Sequence, residues 1–431
     1  MRNAQSPWYW LWIPPALLLL AAPGVWWLVS DSAHQKTDVI ETFLTQHWQH
    51  PLPPQGTPPA HFSDIEASLS PSACGQCHTA QYADWRKSLH SQSMTAGVLW
   101  QFRLMDQAQA NQCMDCHAPL AEQRALIAQE HHWPAAPAGA PPSHVPADLG
   151  HQGLTCAGCH VRGHQRFGPP PRADQAAVQH DRPHDGVTLS GGFQDSRFCA
   201  TCHQFPEDGP RTAGKLREDT WAQWNASEFA QRGEQCQSCH MPDRKHQWQG
   251  VHSPDMIRKA LDVSFEVRDN TVTATLTNTG AGHYFPTYMV PKINAHMLLV
   301  SGDQELTTLA HDVIGWHVDI DLETEFFDTR IPPGQAHRID ATLPATLPDN
   351  ATVELRVEVV PREHYERTYE SVLAQAALLD PETLGLLQRA YDEAVAARFE
   401  AFRVSTPLPS STLSTSTLFP SILLPSTEVT D

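Results

Sequence analysis

Between residues 260 and 360 apolar and polar positions alternate. Val263, Phe265 and Val267 are spaced by polar residues, and Val272, Ala274 and Leu276 repeat the pattern after a short turn. Further runs of the same kind lie at 293–300, 316–320, 337–343 and 353–359. Successive side chains of a strand point to opposite faces, so this period between turn residues predicts antiparallel strands with one buried face. Residues 256–370 are therefore expected to form a β-sandwich-like domain. A helical segment at 371–404 follows; its helix opens at Asp380 as N-cap, with Pro381 in the first turn and Glu382 behind it, and runs to Phe402. Residues 405–431, rich in Ser, Thr, Pro and Leu, have no periodicity and read as a low-complexity tail.

Upstream the pattern differs. Residues 61–255 show helical spacing at 82–104, 120–131 and 220–232, broken by prolines at 134–146 and 169–171, with little strand signal. Before them, 34–60 reads as a juxtamembrane segment: a short helix at 37–48, then a stiff extended linker carrying Pro51, Pro53, Pro54, Pro58 and Pro59. Residues 7–30 are uncharged and long enough to span a bilayer, with Trp8, Trp10 and Trp12 at one end and Trp26 and Trp27 at the other. Residues 1–33 are thus expected to be a transmembrane anchor, with a cleaved signal segment as the alternative. Arg2 before the span and Asp31 after it place the bulk of the chain on the periplasmic side of a bacterial inner membrane; cleavage would leave it soluble in the periplasm. The expected fold class is α+β multidomain: a domain of coil and short helices, an antiparallel β-sandwich-like domain, and a C-terminal helix.

The cysteines change this picture most. All 10 fall in five copies of Cys-x-x-Cys-His: Cys74/Cys77/His78, Cys113/Cys116/His117, Cys156/Cys159/His160, Cys199/Cys202/His203 and Cys236/Cys239/His240. This pattern reads as c-type haem attachment, in which both thiols add to the vinyl groups and the adjacent imidazole takes the iron. A thioredoxin-like dithiol, a zinc site and a disulfide framework each use Cys pairs, yet none accounts for five copies of the same Cys-x-x-Cys-His pattern. Five covalently bound haems are expected. Successive motifs begin 39, 43, 43 and 37 residues apart, too close for separate globular domains, so residues 61–255 should form one pentahaem domain with a shared core. A hydrophobic content of 41% is low for a conventional core of this size, and porphyrins would fill the difference.

The formal charge of −19 argues against nucleic-acid binding and suits docking to a positively charged redox protein. Twenty further histidines are available as second axial ligands. His90 follows the first motif in Trp85-x-x-Ser88-x-His90, on a segment expected to be helical. His151 precedes the third in His-x-Gly-x-x-Cys. His246 and His252 follow the fifth, with His252 preferred. His283 lies in a Gly-rich loop at 278–286, whose glycines allow close approach to a flat ring. His61, at the start of the domain, is placed first among the candidates for the fifth position.

Over 61–290 the chain resembles the multihaem cytochrome c family of the cytochrome c-554 type. The resemblance rests on the repeated motif, on Trp85-x-x-Ser88-x-His90, on the His-x-Gly-x-x-Cys stretch and on the Gly-His-x-x-Pro loop at 282–286. It implies an exported electron carrier with bis-histidine irons, with His90 and His283 as distal ligands and, more weakly, His252. One departure stands out: Trp224-x-x-Ser227-x-Phe229 repeats the first pattern with Phe229 in the ligand's place. Either that segment packs on porphyrin or one iron lacks a ligand. The expected function is electron transfer between a membrane redox complex, such as a quinol-oxidising module, and a soluble carrier or terminal reductase. The alternative is an oxidoreductase acting on a small nitrogen or sulfur compound at a five-coordinate iron.

Overall fold

The computed structural model describes residues 38–172, 183–302, 304–348 and 350–408. The expected anchor and most of the tail lie outside them. Among the described residues no helix is long and apolar enough to cross a membrane.

Two antiparallel sheets share one apolar core. The three-stranded sheet runs in the order Ala336–Thr342, Thr271–Asn278, Leu261–Arg268. The four-stranded sheet runs Phe399–Pro407, Ala351–Val360, Lys292–Ser301, Gln304–Ile314. The alternating residues Val263, Phe265, Val272, Ala274 and Leu276 meet Ile293, Ala295, Met297, Val353, Leu355 and Val357 between the sheets. Two strands of the larger sheet that the pattern did not predict, Gln304–Ile314 and Phe399–Pro407, are its edges. An edge strand bears charged and polar residues against solvent, which blurs its period.

The C-terminal helix differs from expectation. It starts as read, with Asp380 accepting from the Glu382 and Thr383 amides, but ends at Ala396, and the chain then rejoins the sheet. With Glu363–Leu373 it packs on Ala96–Phe102 through Trp100, Tyr369, Leu387, Ala390 and Ala394. Arg103 reinforces that contact with Asp380 at 3.1 Å and Glu382 at 2.9 Å.

Serines break the helices of the N-terminal half. The stretch 82–104 divides into Thr79–Trp85 and Ala96–Phe102. Between them Ser88, Ser91 and Ser93 donate to the carbonyls of Trp85, Ser88 and His90, so the chain turns instead of continuing. Ser227 does the same to Trp224, separating Thr220–Asn225 from Glu228–Gln231. The Pro-rich stretch is no spacer. Leu52 is 1% exposed and clusters with Leu44, Trp48, Leu69, Leu120 and Leu149, so helix Val39–His47 and the prolines after it are packed into the body.

Candidate haem-attachment cluster

A helical turn brings residues i, i+3 and i+4 to one face, so Cys-x-x-Cys-His on a helix presents two thiols and an imidazole together. Four motifs lie on the helices Gln107–His117, Cys156–His160, Arg197–His203 and Cys236–His240. In the first, the His78 amide donates to Cys74 O at 2.9 Å, closing the same turn. All ten thiols are free of disulfides.

Cys77 is exposed, and it lies outside any helix. Helix Pro71–Cys74 stops where Gly75, a poor helix former, follows. The Gln76 and Cys77 amides then donate to the carbonyls of Ala73 and Cys74, three residues back, at 3.2 Å each. This tighter turn leaves Cys77 at the surface while Cys74 is half-buried. Cys239 of the fifth motif is exposed as well, whereas the second, third and fourth motifs keep both cysteines half-buried. The first and fifth sites thus lie at the rim of the cluster.

Thiols of different motifs touch. Cys74 and Cys156 share a hydrogen bond that draws Cys74 down to about 7 and, with burial, drives Cys156 up. Cys116 and Cys202 make a second such pair, Cys199 and Cys236 a third. Cys159 lies within electrostatic reach of Cys199 and Cys202. The attachment sites therefore run first to third to fourth, and the fourth also adjoins the second and the fifth.

The imidazoles pair across these sites. His160 and His246 have ring centroids 6.2 Å apart, His203 and His90 6.3 Å, His240 and His283 6.2 Å. A metal bonded at about 2 Å to one nitrogen of each of two opposed imidazoles puts their centroids about 6 Å apart. One atomic pattern recurs. Nδ1–H donates to a main-chain carbonyl in His117 (Ser93 O, 2.8 Å), His160 (Phe167 O, 2.8 Å) and His240 (Gln249 O, 2.7 Å). It does so again in His184 (Gly186 O), His246 (Arg244 O) and His283 (Tyr284 O), each at 2.9 Å. Such a bond fixes the tautomer that leaves Nε2 for a metal. Burial draws His90 down to about 3 and His160 and His283 to about 4, holding them neutral as ligation requires. The donor set thus fits haem iron at the third, fourth and fifth sites. At the first, His184 is near enough to His78 to lower it electrostatically, after burial.

Three expected ligands stand elsewhere. His151 Nε2 is bound to Glu130 at 2.6 Å and His61 Nε2 to Asp185 at 3.0 Å, both on the exposed surface; a carboxylate occupies the nitrogen an iron would need. His252 is set into the interior with no hydrogen-bond partner on either ring nitrogen, but among the described residues it faces no motif imidazole. His246, passed over in favour of His252, takes the place across from His160. Its signal was the spacing after the fifth motif, which both histidines share. His184 had no comparable signal. Phe229 faces no motif imidazole; it packs on Gly282, beside His283.

The loop bearing His283 is held by Asn278. Its Nδ2 donates to His283 O at 2.9 Å and Ile331 O at 3.0 Å, and its Oδ1 accepts from Ala281 N. At Gly280 a Cβ would lie 1.8 Å from Lys259 O, so only glycine fits.

Residues 73–136, which span the first two motifs, match the family described as Cytochrome c554 and c-prime. The fold is similar to that of a penta-heme cytochrome c552 from Thermochromatium tepidum, with TM-score 0.53 and 16% identity, over 80% of this chain and 100% of that one. No curated protein matches the chain. Together with the motifs, these likenesses support a multihaem c-type cytochrome with covalently bound haem and a redox role.

Proposed function

We propose that the protein is an exported pentahaem electron-transfer cytochrome. The observation that carries this reading is the set of three imidazole pairs at 6.2–6.3 Å, each opposing a motif histidine to one from elsewhere in the chain. The ten motif cysteines attach the groups; His78, His117, His160, His203 and His240 are the proximal ligands. His90, His246 and His283 are the distal ligands of the fourth, third and fifth sites, and His184 that of the first. When bound, the group supplies a one-electron iron couple. The chain's own part is order: contacting thiols join neighbouring sites, and the fourth, adjoining three others, is the junction. The exposed Cys77 and Cys239 put the first and fifth sites at the surface, where electrons can enter and leave. The charge of −19 suits a basic redox protein as partner. The uncharged stretch 7–30 supports attachment at the outer face of the inner membrane, beside a quinol-oxidising complex, with a soluble acceptor beyond. Mass spectrometry of the intact protein tests the count: five haem additions are expected, and fewer would contradict it.

A second reading attaches to the second site. Among the described residues no imidazole opposes His117. Tyr365 lies within electrostatic reach of Cys113, Arg362 and Glu218, and Tyr288 within reach of the last two. His252 is in reach of Arg362. An iron with one protein ligand keeps a position for a small nitrogen or sulfur compound, and these phenols, imidazole and guanidinium supply hydrogen bonds and positive charge. Carbon monoxide binding to one iron in five of the reduced protein would favour this reading; no binding would exclude it.

A further inference from the structure

Two stretches of the chain build the same cradle around an attachment motif. In the first, Trp85 Nε1 donates at 2.8 Å to the carbonyl of Leu154, two residues ahead of Cys156. Ser88 Oγ donates to Trp85 O at 2.7 Å, and the Leu154 amide to His90 O at 2.9 Å. In the second, Trp224 Nε1 donates at 2.9 Å to the carbonyl of Glu234, two residues ahead of Cys236. Ser227 Oγ donates to Trp224 O at 2.7 Å, and the Glu234 amide to Phe229 O at 3.0 Å. Each cradle closes on a glycine three residues before the first cysteine, Gly153 at φ 63° and Gly233 at φ 78°, in the left-handed region. Bond for bond, Phe229 is the counterpart of His90. The first cradle holds the whole second motif between His90 and Leu154, so the repeated pattern read along the sequence does not show which attachment motif it cradles.

The two counterparts are directed differently. His90 leaves its cradle, which holds the third motif, and faces His203 of the fourth. Phe229 turns onto Gly282, where an added Cβ would lie 3.0 Å from Phe229 Cβ and 3.1 Å from Trp224 Cδ1. Gly282 adjoins His283, which faces His240 of the very motif this cradle holds. Arg232 covers the Phe229 ring at 4.5 Å. The loop is thus gripped from one side by Phe229 and Trp224, and from the other by Asn278 and the tight passage of Gly280 past Lys259. Side chains behind a ligand set its orientation at the metal.

We propose that Phe229 is a positioning residue for His283, pressing its loop toward the fifth motif and keeping the two imidazole planes near parallel. This rests on the reading that His240 and His283 bind one iron.

The test compares the full-length, haem-loaded protein with its Phe229→Ala, Phe229→Leu and His283→Gly variants, by electron paramagnetic resonance of the oxidised irons and by redox titration. Near-parallel and strongly tilted imidazole pairs give distinguishable low-spin signals, and of the three pairs among the described residues the one at the fifth site has planes within 13°, the others 38° and 48°. The near-parallel signal should shift or broaden in Phe229→Ala, with one midpoint potential displaced and the others held. Phe229→Leu, which keeps the bulk, should restore the native spectrum, and His283→Gly should lose that signal outright. If His283→Gly changes the signal while Phe229→Ala leaves signal and potentials native, the positioning role is overturned. It is equally overturned if Phe229→Ala displaces every potential together, since that marks a general structural contact. If His283→Gly changes nothing, the ligand reading itself fails. Should Phe229→Ala not accumulate, Phe229→Val carries the same comparison.

Discussion

His240 ends an attachment helix and His283 sits in a loop of the β-sandwich, yet their rings lie 6.2 Å apart and 13° from parallel. The second domain thus completes a site begun in the first.

Replacing His90, His246 or His283 by glycine is expected to convert one iron in five from low to high spin, and added imidazole should restore it. His61→Gln and His151→Gln should leave the visible and resonance spectra unchanged, because their Nε2 atoms are bound to Asp185 and Glu130. These two surface pairs are worth at most about 1 kcal/mol each, so the control variants should also keep native stability to within that margin. A spin-state change in His151→Gln would contradict the assignment.

Gly280→Ala should be severe. Its Cβ would meet the Lys259 carbonyl at 1.8 Å, and backbone cannot move aside as a side chain can. The cost should reach or exceed the roughly 1–3 kcal/mol usual for overpacking, and the His283 loop should leave its place. Gly250→Ala, with open space around it, is the matched control. Denaturant midpoints and the spin state of the fifth site check both; equal midpoints would contradict the packing argument.

Lys292 is 2% exposed, donates to Met289 O at 2.7 Å and lies 3.1 Å from Glu363. Burial, outweighing the attraction of Glu363, draws its ammonium down to about 8. With the folded value below the unfolded one, the unfolded chain holds the proton more tightly above pH 8. Stability therefore rises from about pH 8 toward the ordinary lysine range, by at most about 3 kcal/mol. Lys292→Met should remove that rise. Denaturation of both proteins at pH 8 and pH 10 decides it, and an equal rise in the variant would count against the burial argument.

Much of this was readable from residues. The five motifs carried the attachment expectation, the alternation at 263–276 marked the sandwich core, and the patterns around His90 and His283 pointed to two rings that face motif imidazoles. What escaped has physical causes. Edge strands such as Gln304–Ile314 face solvent and lose their period. Serine bonds to carbonyls ended helices that apolar spacing would have continued. Five copies of one Cys-x-x-Cys-His pattern look equivalent in one dimension, and only the fold sets Cys77 and Cys239 at the surface and the other eight cysteines deeper. His246 and His252 are equivalent in spacing, and only the tertiary fold turns one of them toward His160. His184 comes to His78 from a distant segment with no motif of its own.

The central claim is that three described imidazole pairs each bracket one iron. Low-temperature electron paramagnetic resonance of the oxidised, fully haem-loaded protein tests it most directly. The account predicts low-spin bis-imidazole signals from at least three irons, one with near-parallel planes and two with tilts near 38° and 48°. A spectrum dominated by high-spin iron, or one without a near-parallel pair, would contradict it.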